Sequence, residues 1–423
     1  MSLLLLGLEL PEDWREATIA DVTSKVGSGA TPRGGASVYV DRGAAFIRSQ
    51  NVLDHEFSGD GLAHISDLAA SQLRGAAVES RDVLLNITGD SILRTTIVPE
   101  SILPAHVSQH VAIVRSNGAV HPVFLQKWLS SPAMKKYMLG HSSGGTRKAI
   151  TKGHILSFPV PIPPIDEQDR IARVLQALDD RAASNRRAIE LMEQLGEAIL
   201  DNTLDRDVFG APHYDRERRL GDYLSVLETG SRPRGGAAVS DVGVVSLGAE
   251  NVQSAGVSKA TQFKRVPQEF GAAMKRGRLV NEDVLVYKDG GKPGNFVPHV
   301  SAFGYGFPVD EATINEHVFR VRSEPGVSQA LLYWLLRSAW MDQEMRKRGT
   351  GVAIPGLNGS NFRSLPVPEI DQMPLDRLND QLSPLFAEML RRGAENSRLA
   401  KLRDALLPEL VSGRIRVPEP PRY

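Results

Sequence analysis

The sequence contains no cysteine, no long apolar run and no excess of either charge. The absence of cysteine excludes disulfides, thiolate nucleophiles and thiolate metal sites across the 423 residues. Apolar runs stay well short of the roughly 20 residues that a bilayer-spanning helix requires. The apolar segment Leu3–Leu6 has no basic residue before it and is soon followed by Glu9, unlike a secretory signal. We therefore expect a cytoplasmic protein without a membrane partner.

The balanced charge and the missing motifs also limit the functional classes. Fifty basic and fifty acidic residues give a net charge of zero, so a nucleic-acid site would depend on a local surplus of basic residues. There is no phosphate loop of the form G-x-x-x-x-G-K-[ST] and no G-x-G-x-x-G fingerprint. The Asn-Pro-Pro-aromatic motif of adenine methyltransferases is missing too. The histidines lack metal-ligand spacing, which favours structural or surface roles for His106, His110, His121, His141 and His154. We predict a protein without catalytic residues, metal or cofactor of its own.

The chain repeats itself once, with matched segments roughly 200 residues apart. Five segments recur in the same order. Gly29–Gly35 matches Gly230–Gly236, Gln50–Val52 matches Glu250–Val252, Asp82–Leu85 matches Asp283–Val286, His110–Ser116 matches His317–Ser323, and Phe158–Pro161 matches Leu365–Pro368. Chance does not supply five matches in one order, so the chain is a duplication.

Each copy ends in a long amphipathic pattern. Apolar residues recur at a helical period from Ile171 to Ile199 and again from Leu378 to Leu406. Asp166 is the predicted N-cap of the first helix, and Ser383-Pro384 predicts that the second helix is interrupted or restarted there. Gly413 supplies a C-terminal stop. Short β-branched runs between glycines and prolines predict strands in the body of each copy.

These patterns predict an α+β protein with two homologous globular domains of mixed β-sheet and helices, and pseudo-twofold symmetry. Two long antiparallel helices are expected to separate the domains, because their wide apolar stripes require a partner. The predicted boundaries are 1–165 for the first domain, 166–211 for the central helix, 212–371 for the second domain and 372–423 for the distal helix and tail.

Several segments resemble the specificity subunits of type I restriction–modification systems. Pro161–Ile171 resembles the family's proline-rich exit from a target-recognition domain into its central helix, and Leu402–Ile415 resembles the end of its distal helix. Pro11, Trp14 and Gly29–Pro32 resemble the start of a recognition domain. The second copy lacks a tryptophan matching Trp14, and its exit Pro366–Gln372 is a degraded form.

The resemblance implies sequence-specific binding of a bipartite double-stranded DNA target, one half-site for each recognition domain. It also implies docking of methyltransferase subunits, expected to be two, and of ATP-driven restriction subunits. Those partners are expected to use S-adenosylmethionine, and ATP with magnesium.

Two basic stretches recur at matching positions. Residues 126–152 contain six basic residues and no acidic one, and residues 345–368 contain four and again no acidic one. Phosphate neutralisation requires such a local surplus, although a solvated surface gives the same pattern.

Candidate DNA contacts come from these stretches and from three sets of loops. The glycine-rich loops could bring backbone amides close to an anion, or they could simply be tight turns. Arginine, glutamine and asparagine side chains match the edges of guanine and adenine. The loops after Asn86 and Tyr287 differ most between the copies. The predicted contacts are Thr31, Arg33, Arg48, Gln50, Asn51, Thr88, Arg94, Arg147, Lys148, Lys152, Arg232, Arg234, Asn251, Lys288, Lys292 and Arg348.

Two other functions remain open at this point. The paired helices could form a coiled-coil assembly scaffold that does not read DNA. Dispersed carboxylates could serve a nuclease, which magnesium-dependent cleavage by the isolated chain would reveal.

Overall fold

The structure, a computed structural model, describes residues 3, 7, 9–141, 149–204, 217–253, 255, 263–289, 296–304, 307, 309, 311–349 and 356–419. The chain forms two compact units. Unit 1 comprises residues 1–180 and 400–423, and unit 2 comprises residues 181–399. This division assigns part of each long helix to each unit, whereas the sequence-based boundaries treat the helices as separate segments.

The globular part of unit 1 contains short strands and short helices. The strands are β1 (Arg15–Thr18), β2 (Thr23–Ser28), β3 (Tyr39–Val40), β4 (Ala44–Ile47), β5 (Ala63–Ile65), β6 (Ala77–Val78), β7 (Val83–Asn86), β8 (Thr95–Ile97), β9 (Ala105–Val107), β10 (Val111–Ser116) and β11 (Pro159–Ile162). The helices are α1 (Ile19–Val22), α2 (Asp67–Gln72), α3 (Pro122–Ser130), α4 (Pro132–Gly140) and α5 (Lys152–Ser157). The long helix α6 (Ile165–Thr203) follows.

Unit 2 repeats this order. Its strands are β12 (Glu217–Arg219), β13 (Leu224–Thr229), β14 (Ala238–Val239), β15 (Val244–Leu247), β16 (Lys264–Val266), β17 (Asp283–Tyr287), β18 (His299–Phe303), β19 (Ala312–Ile314), β20 (Val318–Ser323) and β21 (Pro366–Pro368). Its helices are α7 (Gln268–Ala273), α8 (Gln329–Arg337), α9 (Ala339–Arg348) and α10 (Gly359–Arg363), and the long helix α11 (Gln372–Val411) ends the fold.

The sheet topology is the same in both units. Unit 1 has sheets of order β1-β11, β2-β10-β7-β8 and β3-β5-β4-β9-β6, and unit 2 has β12-β21, β13-β20-β17-β18 and β14-β16-β15-β19. Each unit has one parallel pair, β4 with β9 and β15 with β19. Among the described residues, only β6 has no counterpart strand in unit 2. The repeat in the sequence is therefore a repeat of the fold.

Each unit contains one sheet that is buried on both faces, which we name the central sheet: β2-β10-β7-β8 in unit 1 and β13-β20-β17-β18 in unit 2. In unit 1, Leu85 and Val114 face the core shared with the helices, whereas Leu84 and Ile113 face the core shared with the five-stranded sheet. In unit 2 the same alternation separates the neighbouring residues of β17 between two cores. Burial on both faces explains why these strands read as continuous apolar runs in the sequence.

The two long helices begin and end close to the predicted residues, with two corrections. Helix α6 begins at Ile165, so Asp166 lies in its first turn rather than at the N-cap. The carbonyl oxygen of Pro164 accepts hydrogen bonds from the backbone N–H groups of Glu167 and Gln168. Helix α11 ends at Val411, and Gly413 follows in the left-handed region with φ of 75°. The predicted C-terminal stop is confirmed.

The predicted interruption at Ser383-Pro384 is wrong, because α11 continues through it without a break. Proline inside a helix costs roughly 3 kcal/mol through the lost hydrogen bond and its ring. Leu382 and Phe386, on either side of the proline, are both buried in the core of unit 2. The burial of residues on both sides of Pro384 outweighs the local cost.

Within each unit the segments of α6 and α11 run antiparallel. In unit 1, Asp179 contacts Arg403 at 3.4 Å, and Arg170 donates to the carbonyl oxygen of Val417 at 3.0 Å. In unit 2, Arg181 pairs with Glu395 at 2.7 Å, and Asn185 Oδ1 accepts from Arg392 at 3.1 Å. In both units, residues later in the first segment contact residues earlier in the second, as expected for antiparallel segments. Among the described residues, no helix combines the length and apolar character that crossing a membrane requires.

The two units attach their globular parts to the long helices through different chemistry. In unit 1, Lys127 of α3 is buried and forms an ion pair with the buried Asp179 of α6. In unit 2, the matching residue of α8 is Trp334, whose indole nitrogen donates to the carbonyl oxygen of Glu193 at 3.2 Å. A side chain at Gly196 would collide with that indole ring. One unit therefore uses a buried charge pair where the other uses an aromatic ring against a glycine.

Candidate nucleic-acid interface

Three loops meet at one end of the central sheet in each unit, which is β2-β10-β7-β8 in unit 1 and β13-β20-β17-β18 in unit 2. In unit 1, β10 lies between β2 and β7, and the start of β10 pairs with the ends of both: Val111 with Asn86, and Ala112 with Ser28. The glycine-rich loop, the loop after β7 and the turn before β10 therefore meet there. Unit 2 repeats the arrangement, since Val318 pairs with Tyr287 and Phe319 pairs with Thr229.

In unit 1 these loops bring together four side chains, three uncharged polar ones and a histidine. We name this group cluster 1: Thr31, Thr88, Gln109 and His110. Thr31 Oγ1 donates to Gln109 Oε1 at 2.5 Å, and Gln109 Nε2 lies 3.2 Å from His110 Nε2. His110 Nδ1 lies 2.6 Å from Thr88 Oγ1. Because the amide nitrogen of Gln109 can only donate, His110 Nε2 accepts and Nδ1 carries the proton. The cluster is a chain of hydrogen bonds across three loops.

In unit 2 the matching residues form cluster 2: Arg232, Asp289, Glu316 and His317. Arg232 Nε donates to Glu316 at 3.0 Å, and its Nη2 lies 3.3 Å from His317 Nε2. His317 Nδ1 lies 2.5 Å from Asp289 Oδ1, and Lys288 also pairs with Asp289. The histidine accepts on Nε2 and donates from Nδ1, as in cluster 1, because an arginine can only donate. Two of the connections are the same in both units, between the glycine-rich loop and the residue before the histidine and from the histidine to the loop after β7 or β17, whereas the chemistry changes from neutral to charged. The partner of the histidine Nε2 differs, since it is Gln109 in unit 1 and Arg232 in unit 2.

The pairing of Arg232 with Glu316 keeps both of these side chains ionised. Burial alone would raise the pKa of Glu316, but the hydrogen bond and charge of Arg232 hold it below its usual value. The same hydrogen bond raises the pKa of Arg232. Both side chains remain accessible, with 36% of Arg232 and 44% of Glu316 exposed. Cluster 2 therefore presents a fixed cation and a fixed anion at the surface.

The glycine-rich loops owe their first glycine to backbone crowding. A side chain at Gly29 would collide with the carbonyl oxygen of Val107, and one at Gly230 with that of Ile314. Tight packing accounts for both glycines without an anion. The loops nevertheless place Arg33 and Arg234 on the surface, and neither forms an ion pair with a described residue.

The loop after β4 contains one buried and two more accessible candidates. Asn51 is fully buried; its Oδ1 accepts from the backbone of Arg48 at 3.0 Å, and its amide nitrogen donates to Ser58. Asn251 likewise accepts from the backbone of Gly248 at 2.9 Å. Both asparagines shape a turn, so they leave the set of proposed DNA contacts. Arg48 donates to the carbonyl oxygen of Gly61 at 2.6 Å, and Gln50 is exposed.

The first basic stretch contains residues with different surroundings. Lys127 is buried against Asp179, and Lys135 pairs with Asp54 at 2.7 Å. Lys136 and Lys152 are exposed. Arg147 and Lys148, both predicted contacts, lie outside the described residues, as does Lys292 of the second copy. Arg94 is also exposed, next to the loop after β7.

The second basic stretch is largely neutralised on its own helix. Arg346 pairs with Asp342 at 2.6 Å, Lys347 pairs with Glu344 at 2.7 Å, and Arg348 pairs with Glu344 as well. The acidic partners lie three or four residues before the basic ones, just outside the stretch 345–368. These ion pairs offset much of the surplus of positive charge in the stretch, and Arg348 stays a predicted contact.

Sequence reasoning missed Gln109, Glu316 and Asp289, and it assigned His110 to a structural or surface role. The signal that could have found them is the repeat itself, because both histidines belong to a matched segment and each follows a polar residue. Among the described residues, no group of three or more histidine, aspartate or glutamate side chains could hold a metal ion.

Comparisons with known proteins give a consistent result. Residues 11–194 match the sequence model of the family described as the type I restriction modification DNA specificity domain. The chain is 21% identical to the MjaIX specificity subunit of Methanocaldococcus jannaschii, over 97% of this chain and 95% of that protein. It is also 21% identical to the HindI specificity subunit of Haemophilus influenzae, over 95% of this chain and 100% of that one.

A solved structure shares the fold. The S subunit of a type I restriction–modification system from M. genitalium superimposes with a TM-score of 0.55 at 14% identity, covering 95% of this chain and 98% of that one. The predicted α+β fold with two homologous domains and two long helices is thereby confirmed. The first half of the chain thus matches the type I restriction modification DNA specificity domain, and the chain as a whole is similar, over nearly its full length, to type I specificity subunits.

Proposed function

We propose that this chain binds a bipartite double-stranded DNA target, with one half-site bound by each recognition domain. The observation that carries the proposal is the repeated set of loops at the end of the sheet that contains β2 and β10 in unit 1 and β13 and β20 in unit 2. The two sets share their backbone framework and two hydrogen-bond connections but present different side chains. Two such surfaces suit a target whose two halves differ in sequence, because base edges are distinguished by donors and acceptors.

The distribution of basic residues supports a division between phosphate contacts and base contacts. Arg33, Arg94, Lys152 and Arg234 are exposed, and none forms an ion pair with a described residue. Such side chains can neutralise phosphates and release counterions, which adds affinity without sequence preference. The net charge of zero limits non-specific attraction, so a larger share of the affinity must come from the half-sites.

The chain itself is proposed to catalyse no reaction. Methyltransferase subunits, two in number, and restriction subunits would bring the chemistry, using S-adenosylmethionine and ATP with magnesium. The specificity subunit would bind DNA and direct those partners to it, and would need no cofactor of its own. Magnesium-dependent cleavage or methyl transfer by the isolated chain would contradict this part of the proposal.

An exchange of one recognition domain tests the proposal. Residues 1–165 are replaced by the corresponding domain of a related specificity subunit, and the hybrid is assembled with its methyltransferase subunits. Methylation mapping on genomic DNA should show one half of the target changed and the other half retained. A change in both halves, or in neither, would contradict the assignment of one half-site to each domain. Binding measured with and without the partner subunits separates this function from that of an assembly scaffold, which would not bind DNA in either case.

A further inference from the structure

Cluster 1 and cluster 2 differ in chemistry at matched positions. We infer that they are the base-reading elements of the two recognition domains: cluster 1 reads an A·T pair through Gln109, and cluster 2 reads a G·C pair through Arg232 and Glu316. The inference rests on the proposed function and names the residues that would give each domain its preference.

The first support is the contrast between what the repeat keeps and what it changes. Both histidines accept on Nε2, His110 from the adjacent Gln109 and His317 from Arg232 of the glycine-rich loop. Both histidines also bring Nδ1 within 2.6 Å of the side chain two residues after β7 or β17. The residues around them change from threonine to arginine, from glutamine to glutamate and from threonine to aspartate. A cluster needed only to hold the loops together would not require a change of charge at three of its four positions.

The second support is the match between these side chains and the base edges. The amide of Gln109 offers one donor and one acceptor, which match N7 and the N6 amino group of adenine. The guanidinium of Arg232 offers parallel donors for O6 and N7 of guanine, and the carboxylate of Glu316 accepts from the N4 amino group of cytosine. An arginine and a glutamate held side by side therefore complement both members of one G·C pair.

The third support is accessibility with a fixed geometry. Gln109 and His110 are exposed, and the side chains of Arg232 and Glu316 are more than a third exposed. Each is nevertheless held by a hydrogen bond to its histidine or to its partner on the next loop. Side chains held before binding lose less conformational entropy on contact with DNA, which favours discrimination between bases. Asn51, by contrast, is buried and less suited to contact a base.

The test moves the residues of cluster 1 into cluster 2. The full chain with Arg232→Thr, Asp289→Thr and Glu316→Gln is assembled with its methyltransferase subunits and used to select from duplexes with randomised half-sites. The wild type should require a G·C pair in the half-site of the second domain. The variant should lose that requirement, with a fall of about ten- to hundredfold in discrimination at that base pair, and should keep the other half-site unchanged.

Two controls keep the result interpretable. Arg278 and Glu311 form an exposed ion pair in the same unit at 3.6 Å, so Arg278→Thr with Glu311→Gln removes similar charges and should leave both half-sites unchanged. The reciprocal variant, with Thr31→Arg, Thr88→Asp and Gln109→Glu, should move the preference of the first domain from an A·T towards a G·C pair. It serves as the deciding measurement if the first variant unfolds before it can be assayed.

The possible outcomes separate this inference from the proposed function. A wild type that selects no two-part motif would overturn the proposed function itself. A wild type that selects two half-sites, both retained by the two cluster variants, would overturn only the inference. Equal weakening on all sequences would also overturn it, because that result would assign the clusters to the phosphate backbone.

Discussion

The buried ion pair between Lys127 and Asp179 provides the sharpest test of how unit 1 is held together. Only 2% of the lysine side chain and 9% of the aspartate side chain are exposed. Arg403 lies 3.4 Å from Asp179, and His55 Nδ1 lies 3.2 Å from the lysine ammonium. Burial and the neighbouring lysine lower the pKa of His55 to about 2, so the imidazole is neutral and can accept from the ammonium. Among the described residues, Asp179 is the anion that contacts the Lys127 ammonium, and it also contacts Arg403, which pairs with Asp404 as well.

We expect Asp179→Ala to destabilise unit 1 by about 3–5 kcal/mol, because it leaves a buried ammonium without its counter-ion. Replacing both partners, as Lys127→Met with Asp179→Leu, should cost much less, since a buried ion pair and a packed apolar pair are often similar in stability. Asp169→Ala breaks an exposed ion pair with Arg173 on the same helix and should leave stability unchanged within error.

Hydrogen exchange of the backbone amides of α3, followed by mass spectrometry, measures the loss of stability within unit 1. A cost of 3–5 kcal/mol corresponds to more than about a hundredfold faster exchange.

The defect should also depend on pH. Burial lowers the pKa of Lys127, and Asp179 opposes that shift. Without Asp179 the folded-state pKa falls further below the unfolded value of about 10.4. The loss of stability caused by the unpaired Lys127 is therefore greatest below the pKa of Lys127 in the folded state. It shrinks as the pH rises towards the pKa of lysine in the unfolded chain. The reasoning would be refuted if Asp179→Ala and the double variant lost the same amount of stability. It would also be refuted if the loss in Asp179→Ala did not depend on pH after correction for intrinsic exchange.

Two further predictions concern the DNA surface. Asn51→Ala should destabilise unit 1 by about 1–3 kcal/mol, because it leaves buried backbone groups without their hydrogen-bond partner. Gln50→Ala, at the neighbouring exposed position, should leave the midpoint of unfolding unchanged. If Gln50 contacts a base, this variant should also relax the sequence preference for one half-site. Equal effects of the two variants on stability would contradict the structural role of Asn51. Arg147→Ala with Lys148→Ala should weaken binding to all sequences alike and reduce the salt dependence by about one unit of slope for each lost phosphate contact, as should Arg33→Ala alone. An unaltered slope in a salt titration would mean that these side chains point away from DNA.

The sequence predicts the repeat, the strands and the long helices well, because these depend on residues close together in the chain. The run Val83–Leu85 and the stripe from Ile171 to Ile199 carry their own periodicity. The interruption at Pro384 was wrong because the local cost of proline is visible in the sequence, whereas the burial of Leu382 and Phe386 that offsets it is not.

The candidate site was predicted less well for a related reason. Thr31 and Gln109 meet although 78 positions separate them, and Arg232 and Glu316 meet across 84. No local pattern joins such residues. The ion pair of Arg348 could not be predicted from the stretch 345–368 alone, because its partner Glu344 lies just before that stretch. The burial of Asn51 could not be predicted either, because a polar side chain that shapes a turn and one that reads a base are the same residue type.

The crowding at Gly29 and Gly230 has a consequence for how this protein can diverge. Each glycine lies against a backbone carbonyl and leaves no room for a side chain, so these two positions should tolerate almost no substitution. A few residues away, Arg33 and Arg234 lie exposed in the same loops. Tolerance to mutation should therefore change abruptly within each loop, from low at the strand end to high at the tip. Under the proposed function, such a boundary would let the DNA contacts of the loops change while the sheets that support them stay intact.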